Sequence, residues 1–409
     1  MRSELVWFCA ALMFVASALA DELPPGVADP DKAIQHWSYS DPVFLWRLTS
    51  IPEDPLEPDP YFYWPNAYVH GEPGPFFDPV APAHTSIEPS ALAGMVTWAE
   101  QRDSNALIVI HKGQLVLEKY WNGYTPDRLV NGRAISRSVT PMVLGFAVAD
   151  GKLHLDDRIG DYITEWADDI RGDITVRQLA QNTSGLEIAG MKPVSQVYGN
   201  KDLCLVYCGD VVRAALEYDY VLPPGETFQV AQENMQLLAL VIERAMGQPI
   251  QDLLSERVWK KIGAKDATFQ LDRPDGVART MCCMRATPRD WTRLGVLISR
   301  DGVWNGEQVL PKDWADTMAT PSSVNPNFGI GLWLGTPYDP MRTYFEGEPG
   351  VIPMSEPYLV DDVRIMEGGG FRAVYMSPSQ DLVIFRHGVW VPDWDASYLI
   401  NTAIRGIKK

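Results

Sequence analysis

Between positions 134 and 141 the chain reads Ala-Ile-Ser-Arg-Ser-Val-Thr-Pro, which places two hydroxyls, Ser136 and Ser138, on either side of one guanidinium, Arg137. A serine hydroxyl is a weak nucleophile until a neighbouring base takes its proton. One helical solution sets a lysine three positions beyond the serine, where the two side chains face each other and burial lowers the amine pKa toward neutrality. Ser138 has Pro141 at that distance. Arg137 remains protonated in proteins and cannot serve as the base. The same residues also read as the approach to a helix, with Thr140 as N-cap, Pro141 as first helical residue and Ser138 in the preceding loop. On that reading the serines cap or face solvent.

Two further segments carry polar chemistry: Val230-Ala231-Gln232-Glu233, and Glu367-Gly368-Gly369-Gly370. Glycines suit a backbone that approaches a ligand or a neighbouring strand. The six histidines are scattered, and His111 and His387 fall in strand or turn patterns, so no catalytic role is expected for them. Cys204 and Cys208 form one cluster and Cys282 and Cys283 another, with no histidine beside either. A zinc site is therefore not expected. A disulfide between the clusters is the expectation for an exported chain.

Positioning these groups falls to elements of two kinds. Residues about 87–102 read as a helix, with Ala91, Leu92, Met95, Val96 and Ala99 on one face. Leu107–Ile110 and Leu115–Tyr120 read as strands joined by a turn. Residues about 140–325 are mainly helical in pattern. Strands return at Phe328–Leu334, Ala373–Met376 and Leu382–His387, and a helix from about Asp395 to Ile404 closes the chain. Strands near both ends imply one sheet built from both termini, here from 86–133 and 326–409, with a helical insertion at about 134–325. Residues 21–85 are rich in proline and aromatics, which argues against regular helix or central strand and for an arm pinned to the body by rings such as Trp37, Phe44 and Trp46.

The order of the motifs resembles the serine β-lactamase and penicillin-binding-protein superfamily, including sequences similar to class C β-lactamases and 6-aminohexanoate-dimer hydrolases. Gly151-Lys152-Leu153 and Leu155-Asp156-Asp157 follow the nucleophile helix as they do in relatives. Ile174–Leu179 with Asn182–Leu186, Pro224–Phe228, Leu237–Gln248 and Ala286–Gly295 match further family signatures in order over about 87–405. The resemblance implies an α/β sandwich, an antiparallel sheet with flanking helices plus an all-helical subdomain. It also places the family's S-x-x-K serine at Ala134 and its lysine at Arg137. The Y-x-N tyrosine, a proton shuttle in relatives, falls at Val230, and its asparagine at Gln232. The last family motif falls near Met366–Gly369, where no Lys or His stands to attract a carboxylate. By resemblance, then, the nucleophile, base and shuttle are absent together.

The net charge of −18 makes nucleic acid and anionic membranes poor partners. Residues 1–20 read as an export signal, with Arg2, an apolar run from Val6 to Ala16, and Ala18-Leu19-Ala20 before Asp21. No later segment is long and apolar enough to span a bilayer. The expectation is a periplasmic or secreted protein without cofactor, a degenerate relative of serine hydrolases whose cleft holds a small molecule or peptide. Arg137, Gln232, Glu233, Glu367, Gly368 and Gly369 are expected to line that cleft, with Arg137 pairing to Glu367 or Glu233. The alternative is an amide or ester hydrolase using Ser136 or Ser138.

Overall fold

The structure is a computed structural model that describes residues 36–50, 64–81, 84–188, 200–344 and 350–408. The expected export signal and part of the aromatic-rich arm lie outside the described residues. Fourteen strands are described: β1 Asn66–Val69, β2 Ser104–His111, β3 Gln114–Tyr120, β4 Val130–Asn131, β5 Ala267–Gln270, β6 Met284–Ala286, β7 Val303–Trp304, β8 Glu307–Gln308, β9 Trp333–Leu334, β10 Met341–Arg342, β11 Ile352–Pro353, β12 Arg364–Gly368, β13 Arg372–Ser377 and β14 Leu382–Gly388. The helices that matter for the site and its frame are α1 Pro42–Thr49, α2 Pro89–Glu100, α3 Val139–Ala149, α4 Lys201–Tyr207, α5 Gln232–Met246, α6 Pro288–Ser299 and α7 Tyr398–Arg405.

All eight residues of β2 are buried, so both its faces must be covered. Side chains alternate across a strand, and here the alternation sorts them into two cores. Ile108 and Ile110 join Val374, Met376, Val383 and Phe385 beneath Trp291, Leu294 and Leu297 of α6. Leu107 and Val109 join Ile365, Tyr375 and Ile384 beneath Leu92, Met95 and Trp98 of α2 and Leu399 and Ile400 of α7. The sheet order is β3-β2-β14-β13-β12-β9, antiparallel throughout. The first two of these strands come from the N-terminal side and the rest from the C-terminal side. The result is a mixed α/β sandwich.

Three departures from the sequence expectation have plain causes. Residues 42–49 are a helix despite the proline-rich surroundings, because Pro42 occupies its first position, where a missing N–H costs nothing, and Asp41 caps it by accepting from Val43 N. The strand expected at Phe328–Leu334 shortens to Trp333–Leu334, the only part that pairs with β12. The helical insertion also contains β5 and β6, which pair with β1 and β4 in a four-stranded sheet. In addition, α6 leaves the insertion to cover the main sheet.

Candidate functional site

Arg133–Ser138 forms a 3-10 helix that runs directly into α3. The expected N-cap at Thr140 is therefore corrected: Ser138 holds the cap position, and Pro141 is the third residue of α3, still within the first turn, where its absent N–H would have no helical acceptor. Ser138 is buried and donates its hydroxyl to the Gly331 carbonyl at 2.6 Å. Ser136 is sealed and accepts from Met284 N at 3.3 Å. Gly331 approaches α3 so closely that a side chain there would meet Pro141 Cγ at 2.5 Å.

Residues from four directions enclose a cavity of about 890 Å³. Its walls include Ala134, Arg137 and Ser138 from the 3-10 segment, Asp202 from α4, and Val230, Ala231, Gln232, Glu233 and Met235 at the start of α5. The opposite wall has Phe328, Trp333, Tyr344, Val351, Glu367, Gly369 and Trp390. Of the residues expected to line the cleft, Arg137, Gln232, Glu233, Glu367 and Gly369 are on this wall. Gly368 is not. A Cβ at 368 would stand 2.4 Å from the Gly132 carbonyl, so this glycine serves backbone-to-backbone packing rather than a ligand.

Arg137 does not point to bulk solvent, and it makes neither expected ion pair. Its Nε donates to the Met281 carbonyl at 3.0 Å. Its two Nη groups have no acceptor among the described residues, and the side chain lines the cavity. Burial pulls its pKa down, while the charge of Glu233 opposes that pull. Glu367 is already engaged: its carboxylate pairs with the guanidinium of Arg342 and accepts from the Tyr344 hydroxyl at 2.7 Å. Arg342 lies over the Trp333 ring, 4.3 Å from its centroid. A carboxylate so satisfied has no reason to reach for Arg137.

Glu233 is different. It is 1% exposed, and its Oε1 is sealed with no hydrogen-bond partner among the described residues. Burial is the main cause that raises its pKa to about 8, with the nearby Asp202 adding and Arg137 subtracting. Asp202 accepts from the Tyr218 hydroxyl at 2.5 Å. Val230 contributes an apolar side chain and donates its N–H to the Tyr344 carbonyl at 3.0 Å. Asn182 ties this corner together, its Oδ1 accepting from Ala231 N at 3.3 Å and Asn234 Nδ2 at 3.2 Å.

In the structure the cysteines approach one another within their clusters, Cys204 with Cys208 and Cys282 with Cys283, rather than across them. Cys204 and Cys208 stand one helical turn apart at the end of α4, with Cα atoms 4.7 Å apart, within the span a disulfide bridges. That spacing was the signal in the sequence. His111 is bonded through Nδ1 to Ser86 Oγ at 2.6 Å, and His387 packs against the Tyr124 ring; neither lines the cavity. Sequence reasoning missed Asp202, Arg342, Tyr344 and the aromatic wall, for which no local pattern exists.

Among the described residues no cluster of three or more His, Cys, Asp or Glu is placed to hold a metal ion, and no helix is long and apolar enough to cross a membrane.

A family profile described as Beta-lactamase matches residues 92–386. The 6-aminohexanoate-dimer hydrolase of Paenarthrobacter ureafaciens is 24% identical over 254 residues, which cover 59% of this chain and 64% of that one. The match thus spans less than two thirds of that relative's length. Among solved structures, a penicillin-binding-protein homologue from Caulobacter crescentus superposes with a TM-score of 0.59 at 15% identity, covering 79% of this chain and 99% of that one. FmtA from Staphylococcus aureus superposes with a TM-score of 0.58 at 13% identity, covering 82% and 94%. These structural likenesses speak for the fold.

Proposed function

The chain belongs to the Beta-lactamase family, and from that premise we propose that it is a catalytically degenerate member of this group of serine hydrolases, exported and using its cleft to bind a ligand rather than to acylate itself. One observation carries the reading. The stretch of cavity wall where the family resemblance places nucleophile and base presents a methyl group, Ala134, and a permanently charged guanidinium, Arg137. Val230 adds no group able to shuttle a proton. Export rests on the sequence of residues 1–20.

Labelling the purified protein with fluorescent penicillin and with a fluorophosphonate, followed by mass spectrometry, tests this. No covalent adduct is expected. Ala134→Ser alone is expected to recover almost nothing, because Arg137 still cannot accept the proton. A stoichiometric adduct that Ser138→Ala abolishes would sink the reading.

A second reading, hydrolysis through Ser138, has one observation in its favour: this residue lies on the cavity wall. Its hydroxyl proton, however, is committed to the Gly331 carbonyl, and no base stands beside it among the described residues.

A further inference from the structure

Among the described residues Arg137 has no ion-pair partner, and it lines a mostly apolar cavity. Of the acidic groups on the described walls, Glu367 is held by Arg342 and Tyr344, and Asp202 accepts from Tyr218. Glu233 lies close enough to feel the charge of Arg137 yet forms no ion pair with it. Burying an unpaired charge is costly, and among the described residues the guanidinium bonds only to the Met281 carbonyl. Neither Nη group has an acceptor among the described residues, and together they form the fork that matches a carboxylate two-to-two.

The rest of the lining states what lies behind such a head group. Val230, Phe328 and Trp333 make an apolar wall, and Trp390, 48% exposed, and Val351, 37% exposed, stand at the mouth. We propose that the cleft is a receptor for a small amphipathic monocarboxylate, its carboxylate gripped by the Arg137 fork beside Glu233 and its apolar body laid along Val230, Phe328, Trp333 and Trp390. The proposal rests on the binding-protein reading above.

Two features select this head group. Glu233 lies on the same wall, and as an uncharged acid it puts no negative charge beside a carboxylate held by Arg137. Its pKa near 8 keeps its proton in place at neutral pH. A doubly charged phosphate would also face Asp202 and Glu367, so a single charge fits better. The volume suits a small organic molecule.

Calorimetric titration of the intact protein at pH 7 with octanoate, 1-octanol and octylamine tests it. Octanoate is expected to bind at least roughly tenfold more tightly than either analogue, the equivalent of about 1.4 kcal/mol. Arg137→Gln is expected to abolish that preference, Arg137→Lys to restore part of it by returning charge without the fork, and Trp390→Ala to weaken octanoate while leaving the preference intact. Equal affinity for octanoate and octanol, tighter binding of octylamine, or no binding of octanoate would each overturn the proposal. If Arg137→Gln does not fold, the head-group series on the unaltered protein still decides. The two readings fail separately. A covalent serine adduct removes the degenerate-enzyme reading whatever octanoate does, whereas absent octanoate binding in an unlabelled protein removes only the present inference.

Discussion

Two glutamates face one another across the same cavity and are treated in opposite ways. Glu367 on β12 has a guanidinium and a phenol hydroxyl as partners. Glu233 on α5 has one oxygen with none and retains its proton to about pH 8. Both are buried, at 8% and 1% exposure. The two acids share burial and differ in whether a cation arrives to pair with them. Arg342 arrives at Glu367 with its ring support. Arg137, near Glu233, turns its Nε to a backbone carbonyl instead.

The sharpest way to break this contrast is to neutralise each acid in turn. Glu367→Ala strands Arg342 in the interior and is expected to cost about 3–5 kcal/mol. Glu233→Gln resembles the acid in its protonated form and is expected to change stability by less than about 1 kcal/mol at pH 6. Urea unfolding of both variants measures the two costs, and similar values would dissolve the distinction.

A pH series sharpens it. The folded state holds the Glu233 proton up to about pH 8, and Glu243, also raised by burial, holds its own to about 7. The unfolded chain releases both near the ordinary glutamate value of roughly 4.3. Between those limits the folded state binds more protons, so these groups make stability fall as pH rises. Around Glu233, the charges of Asp202 and Glu187 work in the same direction and Arg137 against it. Glu233→Gln is expected to flatten the decline, most from roughly pH 5.5 to 7, by up to about 1.4 kcal/mol per pH unit. An unchanged slope would mean that the carboxyl ionises normally.

The smallest expected effect concerns the cysteines. No free thiol should be found among Cys204, Cys208, Cys282 and Cys283 in unreduced, denatured protein. Because both loops are short, reduction of either pair should lower stability by roughly 2 kcal/mol or less. A peptide map showing a Cys204–Cys283 crosslink would restore the long-range bridge instead.

What the sequence disclosed follows from how local each signal is. The helix at 89–100 and the β2–β3 hairpin announce themselves by periodicity within one segment. Ala134 and Arg137 could be located because Gly151 and the Leu-Asp-Asp run fix the spacing. The start of α3 lies two residues before the one the sequence suggests, because Thr-Pro suits an N-cap but proline is also tolerated at the third position. The partner of Glu367 was hidden for a different reason. Arg342 comes from a two-residue strand with no periodicity, and only the fold brings it to β12. Residues 42–49 taught the reverse lesson: proline counted against a helix that Pro42 in fact begins.

The contact between Gly368 and Gly132 has a consequence for how this cleft can diversify. Where strand meets 3-10 segment beside the cleft, main chain rests on main chain with no side chain between them, and a side chain added at 368 would wedge the two apart. Side-chain changes in the cavity's own lining, as at Trp390 and Val351, can reshape the cleft without disturbing that contact.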